Sequence, residues 1–202
     1  MQANIPFSSY FANVADCHQY NGSFEKKHKL LPLLPGKGFA DVSMGWNETG
    51  LHFYVSVSVN SIAVAYPEIQ KGDSIELFID TKNLKNAKLI HRFCHHFYFL
   101  PESVEGVRCK EITHFRSVDV HPLCRPEDLQ LKIKKRKGGY DAEIFIPTES
   151  LTGYQPEVGQ LLGFSYRVNR STGAPQDSML SSTDYPIESR PNLWGSVKLV
   201  GI

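Results

Sequence analysis

With 202 residues, 22 basic against 21 acidic side chains and a formal charge of +1, the chain is long enough for one hydrophobic core. It is too evenly charged to be steered as a whole toward nucleic acid or an anionic membrane. No apolar run approaches the ~18–20 residues of a membrane span, and the N-terminus lacks the basic cluster, apolar core and small-residue cleavage site of a secretory signal. These features predict one domain, no membrane span, no nucleic-acid partner and a cytoplasmic location, with export by another route left open.

Residues 1–37 mix Ser, Asn, Pro and aromatics without a sustained period, which predicts a segment that wraps the domain. It closes on an edge strand, LLPLL at 30–34, where Pro32 withholds the N–H a central ladder needs. Lys26, Lys27 and Lys29 guard its end. From Ala40, Val42, Met44 and Trp46 share one face; NETG turns the chain, and Leu51, Phe53, Val55, Val57 and Val59 share the inward face of LHFYVSVSV. This predicts a hairpin with Trp46 in the core. Residues 60–72 carry no clean period and read as a loop or short helix. Asp73 to Asp80 alternates Ile75, Leu77 and Ile79 against Ser74, Glu76 and Phe78; after a polar connection of roughly ten residues, Phe93, His95, Phe97 and Phe99 alternate against Arg92, Cys94, His96 and Tyr98. Two central strands are expected there, with Phe97 and Phe99 inward and Tyr98 facing water.

Thr113 to His121 can also alternate as a strand. A second hairpin runs from LQLKIKK through Gly138-Gly139 into YDAEIFIP, and Thr148 suits the cap of a short helical turn. Residues 162–169 alternate Phe164, Tyr166 and Val168 against Ser165, Arg167 and Asn169. Loops around a short strand near Met179 and a closing strand, LWGSVKLV, complete the chain. About ten short alternating segments with little helix predict an all-β fold, an antiparallel two-sheet, jelly-roll-like β-sandwich.

By side-chain parity Glu76, Arg92, His96, Tyr98, Arg167 and Asn169 form one outward patch. A carboxylate, two guanidiniums and an amide there can grip vicinal hydroxyls while Tyr98 stacks on a ring; the alternative is a solvated sheet face with cross-strand ion pairs. His91, Cys94, His95 and His96 invite a metal reading. On a strand, though, His95 and His96 face opposite ways, and His91 lies about 13 Å from His95, so no metal site is assigned. No motif for a nucleophile, a zinc protease or a nucleotide phosphate is present, and Glu76 and Asp80 are spaced too widely for a glycosidase pair. No catalytic residue is assigned, and an enzyme is the less favoured class. Cys17, Cys94, Cys109 and Cys124 lack CxxC spacing and read as free thiols, with a Cys109–Cys124 bridge as the alternative.

The ordered set GWNETGLHFYVSVSV, GDSIELFIDTKN, an aromatic strand, GGYDAEIFIP, LLGFSYRVN and LWGSVKLV resembles the family 9 carbohydrate-binding modules and related DOMON-like sandwiches over residues 38–202. The resemblance implies a non-catalytic module that binds sugar on one exposed sheet face, with no cofactor beyond structural calcium, for which Asp80 and Asn83 are candidate ligands beside a plain turn reading. Family members hold sugar between two tryptophans. The corresponding places here are residues 67–70 and 185–188, with Tyr66 and Tyr185 the nearest aromatics. Glu76 matches the family glutamate, while the positions that look like the family's arginine and glutamine carry Tyr98 and Arg167 here, so the site is altered although the outer face stays polar. The expected ligand is a carbohydrate or other polyhydroxylated molecule held by Glu76, Arg92, His96, Tyr98, Arg167, Asn169 and Tyr185. The alternative is a structural or protein-interaction domain that keeps the sandwich without the sugar site.

Overall fold

The computed structural model describes residues 14–30 and 38–201. Among them lie twelve strands: β1 (Val14–Gln19), β2 (Lys29–Leu30), β3 (Ala40–Asn47), β4 (Gly50–Ser58), β5 (Ser74–Asp80), β6 (Cys94–Val104), β7 (Val107–Glu111), β8 (Gln130–Arg136), β9 (Gly139–Pro147), β10 (Leu161–Asn169), β11 (Gln176–Asp177) and β12 (Gly195–Val200). The helical elements among the described residues are 3-10 turns of three residues each. Ten strands follow one hydrogen-bonded path, β7-β6-β5-β10-β12-β1-β3-β4-β9-β8, with β11 on β10 and β2 on β3. The fold is all-β.

The two expected hairpins are present, and their turns explain their glycines. At Gly139, φ is +149° and an added Cβ would stand 1.9 Å from the Val57 carbonyl oxygen, so the β9 backbone pairs closely with β4 only because nothing projects there. The inward residues are as the alternation requires: Val42, Met44, Trp46, Leu51, Phe53, Val55, Val57, Ile75, Leu77, Ile79, Phe97, Phe99, Tyr140, Ala142, Ile144, Ile146, Phe164, Tyr166 and Val168 share one core cluster.

Several expectations are corrected. The segment at 14–19 does not wrap the outside. It forms β1, which pairs in parallel with β12 (Val14 opposite Ser196) and with β3 (His18 opposite Gly45), so it joins the two halves of the sheet path, and not every pairing is antiparallel. Lys29 and Leu30 pair with β3, while residues 31–34 of the expected edge strand lie outside the described residues. The span from Thr113 to His121 contains no strand, because Thr113 and His121 turn inward to bond Glu111 instead of a neighbouring ladder. Thr148 begins a 3-10 turn (Thr148–Ser150) without capping it; its hydroxyl donates to the Glu48 carbonyl.

The largest departure concerns β5, all seven residues of which are buried. Its even-numbered face is covered by a second layer. Ile187 and Trp194 pack on Phe78, with Ile90 and Cys94, and Ile69 packs on Tyr98 and Leu100. The Trp194 indole donates to the Ile187 carbonyl at 2.8 Å, and Lys85 Nζ donates to the Trp194 and Gly195 carbonyls. Those bonds fix residues 187–194 over the sheet.

Candidate ligand-binding site

Strand register places the polar residues. β5 lies between β6 and β10, so Glu76 stands opposite Tyr98 on one side and Arg167 on the other, while Phe78 stands opposite His96 and Ser74 opposite Asn169. Every second residue of three adjacent strands therefore points to one face. Parity brings Glu76, His96, Arg167 and Asn169 together as expected.

The Arg167 guanidinium makes a fork on Glu76, Nε to Oε1 and Nη2 to Oε2, both at 2.8 Å. Asn169 Nδ2 donates to Oε1 at 2.7 Å and to Ser74 Oγ, and His96 Nε2–H donates to Oε2 at 2.8 Å. Each carboxylate oxygen thus accepts two donors, which fills its lone-pair positions. Burial alone would raise the Glu76 pKa, but His96 and Arg167 outweigh it and hold the carboxyl at about 2. Burial works against the Arg167 charge too, and Glu76 more than compensates, so its pKa is raised. His96 stacks on Phe78 with ring centroids 4.2 Å apart, and the Arg167 guanidinium carbon lies 5.7 Å from the centroid of the same ring.

The expected exposure is overturned. Glu76 is 0% exposed, Tyr98 2% and Arg167 3%. The reason is the second layer: Ile69 and Tyr66 cover Tyr98, with the two tyrosine rings 6.5 Å apart, and residues 187–194 cover Phe78. Trp194, which flanks the final strand, is core, as is Trp46. Arg92 is not part of the network. It lies in the turn ahead of β6, is exposed, and pairs with Asp119 on the far connection. Tyr185 is 40% exposed and sits beside the 3-10 turn Ile187–Ser189, whose Glu188 approaches Arg167 Nη1 to 3.7 Å. Glu188 therefore joins the edge of the buried network to solvent, with Tyr185 three residues before it in the chain. Tyr66 also borders a separate cavity of about 560 Å³ at the β6–β7 turn, lined by Glu105, Arg108, Lys110 and Glu127.

Asp80 behaves as a turn residue. Its Oδ1 accepts the Lys82 amide at 2.9 Å and its Oδ2 the Leu84 amide at 2.6 Å, and Asn83 Oδ1 accepts from Ser196. Two buried groups combine histidine with a carboxylate: Asp80, His91 and Cys94, and His95, Glu111 and His121. Strand spacing hid both. His91 precedes β6 on a turn that doubles back toward Cys94, and the partners of His95 come from β7 and from the irregular connection beyond it. The four cysteines are free thiols.

The family model for the carbohydrate family 9 binding domain-like proteins matches residues 38–202. The chain belongs to this family. Its fold is similar to a family 9 carbohydrate-binding module from Caldicellulosiruptor kristjanssonii in complex with cellotriose, with TM-score 0.71 and 18% identity over 94% of this chain and 95% of that one. The same organism's module in complex with glucose gives TM-score 0.67 and 17% identity over 93% and 95% of the two chains. A putative carbohydrate-binding protein from Bacteroides uniformis gives TM-score 0.53 and 9% identity over 85% of each. No curated protein matches the chain. Among the described residues no helix is long and apolar enough to cross a membrane. The family match begins after β1 and β2, yet β1 lies between β12 and β3, so the structural unit extends ahead of the matched residues.

Proposed function

We propose that this chain is a non-catalytic carbohydrate-binding module whose two half-sheets pack face to face as a sandwich. The stacking of Phe53 on β4 against Phe164 on β10, at 5.8 Å between centroids, supports the sandwich. Family membership supports a carbohydrate as ligand. The observation that carries the site is Glu188, which reaches from the 3-10 turn ahead of β12 to Arg167 while remaining partly exposed, on the same segment as the exposed Tyr185. A half-exposed carboxylate and a phenol ring carried on one short segment suit a sugar, the first accepting hydroxyl protons and the second covering ring C–H groups. The buried Glu76–Arg167–Asn169–His96 network fixes the height and angle of that segment.

The closure of the sheet face supports a second reading, a domain that keeps the fold for structural or protein-interaction purposes, since Glu76 and Tyr98 are sealed from solvent. Calorimetric titration with glucose and cello-oligosaccharides separates the two. Binding that Tyr185→Ala and Glu188→Ala each weaken at least about tenfold, some 1.4 kcal/mol, supports this site. Silence across a wide glycan panel favours the second reading.

A further inference from the structure

We propose that His95, Glu111 and His121 hold one divalent metal ion of the zinc class, which pins the irregular connection 112–125 to β6 and β7. His95 Nδ1 lies 2.9 Å and His121 Nε2 2.8 Å from the same oxygen, Glu111 Oε1, and the three donor atoms all fall within 4.8 Å of one another. All three residues are buried. They come from β6, from β7 and from the connection that follows it, so the centre ties together elements that share no ladder beyond the β6–β7 pair.

The hydrogen-bond pattern at His121 suits metal ligation. His121 Nδ1 is 2.7 Å from the Arg92 carbonyl oxygen, which only accepts, so the proton sits on Nδ1 and the lone pair of the neutral ring points from Nε2 toward Glu111. That arrangement, with the distal N–H donated to a backbone carbonyl, orients metal-ligating histidines in general. Glu111 Oε1 already accepts the Thr113 hydroxyl at 2.7 Å, and Oε2 accepts the Cys124 amide at 2.8 Å. Three polar groups therefore converge on Oε1, more than its two lone pairs accommodate as simple hydrogen bonds. A cation among His95 Nδ1, His121 Nε2 and Oε1 relieves that crowding, because it accepts lone pairs where protons would compete.

The neighbouring Asp80–His91–Cys94 group lacks this pattern. There the Phe93 amide donates to His91 Nδ1 at 3.3 Å, so the proton sits on Nε2, the nitrogen that faces Cys94 Sγ at 3.2 Å. Both Asp80 oxygens are taken by backbone amides. Two imidazoles with one carboxylate select a zinc-class ion over calcium, which prefers an all-oxygen shell; three protein donors leave the fourth tetrahedral position to a water or to the Thr113 hydroxyl beside Oε1, and the burial of all three donors suits an ion that holds the connection in place.

The test uses the full chain, stripped with a chelator and titrated with Co(II) and Zn(II). The expected result is one Co(II) per chain with the visible absorption of a tetrahedral N/O site and no thiolate charge-transfer band, together with a higher melting temperature on adding Zn(II). His121→Gln and Glu111→Gln should abolish the absorption, while His91→Gln should retain it. If stripped wild-type protein gives neither absorption nor a melting shift, or if His121→Gln binds Co(II) as wild type does, the assignment is overturned. A thiolate band, or loss of the signal in His91→Gln alone, overturns it in favour of the Cys94 group.

Discussion

Replacing Arg167 with alanine removes two charge-assisted hydrogen bonds of 2.8 Å from a carboxylate that is wholly buried. Breaking a buried ion pair by deleting one partner costs about 3–5 kcal/mol, chiefly because the other charge stays desolvated. Here the loss belongs near the lower end, since Asn169 and His96 still donate to Glu76. We expect about 3 kcal/mol, against the roughly ±0.5 kcal/mol of an ordinary surface substitution. For a domain of this size that is about 6–12 °C in melting temperature. Urea unfolding at neutral pH, followed by the fluorescence of buried Trp46 and Trp194, should show a lower midpoint at an unchanged slope. A pairwise control sharpens the test: Glu76→Met with Arg167→Met should cost less than the sum of the single changes, because an apolar pair leaves no unpaired buried charge. If Arg167→Ala unfolds within about 0.5 kcal/mol of wild type, Arg167 is solvated in solution and the second layer over β5 is not closed.

Three further outcomes are expected. Because the folded Glu76 pKa is near 2 rather than its usual 4.5, its contribution is complete above pH 4.5 and disappears as pH falls toward 2; wild type should lose up to roughly 3 kcal/mol more than Glu76→Gln across that window, and urea midpoints at several acid pH values that fall in parallel would contradict it. A chain beginning at residue 38 loses β1 and leaves the facing edges of β12 and β3 unpaired, so it should aggregate or unfold without cooperativity, as size exclusion and circular dichroism would show; a soluble fragment with the full-length melting temperature would count against a structural role for β1. Gly139→Ala, which drives a Cβ to 1.9 Å from a backbone oxygen, should cost more than Gly138→Ala, whose added Cβ meets nothing within 4 Å; the second should cost about 1–2 kcal/mol, and equal midpoints would refute the ordering.

The alternation of apolar residues carried β3–β4, β8–β9, β5 and β10 into view, with the side that each residue faces. Parity also grouped Glu76 with Arg167, His96 and Asn169. What it left out was burial. A period of two records that the faces differ, and Ser74-Glu76-Phe78 looks like a solvated face whether or not another segment lies on it. The segments that do lie there, around Ile69 and from Ile187 to Trp194, have no period of their own and come from distant parts of the chain. β1 was hidden for a related reason: in VADCHQ only Cys17 is buried, and its parallel partners need no adjacent turn to announce the pairing. Glu111 and His121 escaped because neither lies on a strand with His95, so no spacing in the sequence encodes their meeting.

The donor count at Glu76 determines where a sugar can act. Arg167 supplies two hydrogen bonds, Asn169 one and His96 one, so both oxygens are filled and no acceptor site remains for a ligand hydroxyl. A sugar competing for Glu76 would have to displace a charge-assisted bond and open a layer anchored by Trp194 and Lys85. At Glu188 the cost is smaller, because its contact with Arg167 is long, at 3.7 Å, and partly solvated, conditions under which an ion pair contributes about 0–1 kcal/mol. On the proposed reading, stability and recognition divide along the depth of the site. Substitutions at Glu76 or Asn169 should change the unfolding midpoint, whereas substitutions at Glu188 should alter ligand affinity and leave the fold intact. The two groups meet at Arg167, which binds Glu76 below and faces Glu188 above, and a change at that residue should move both measurements together.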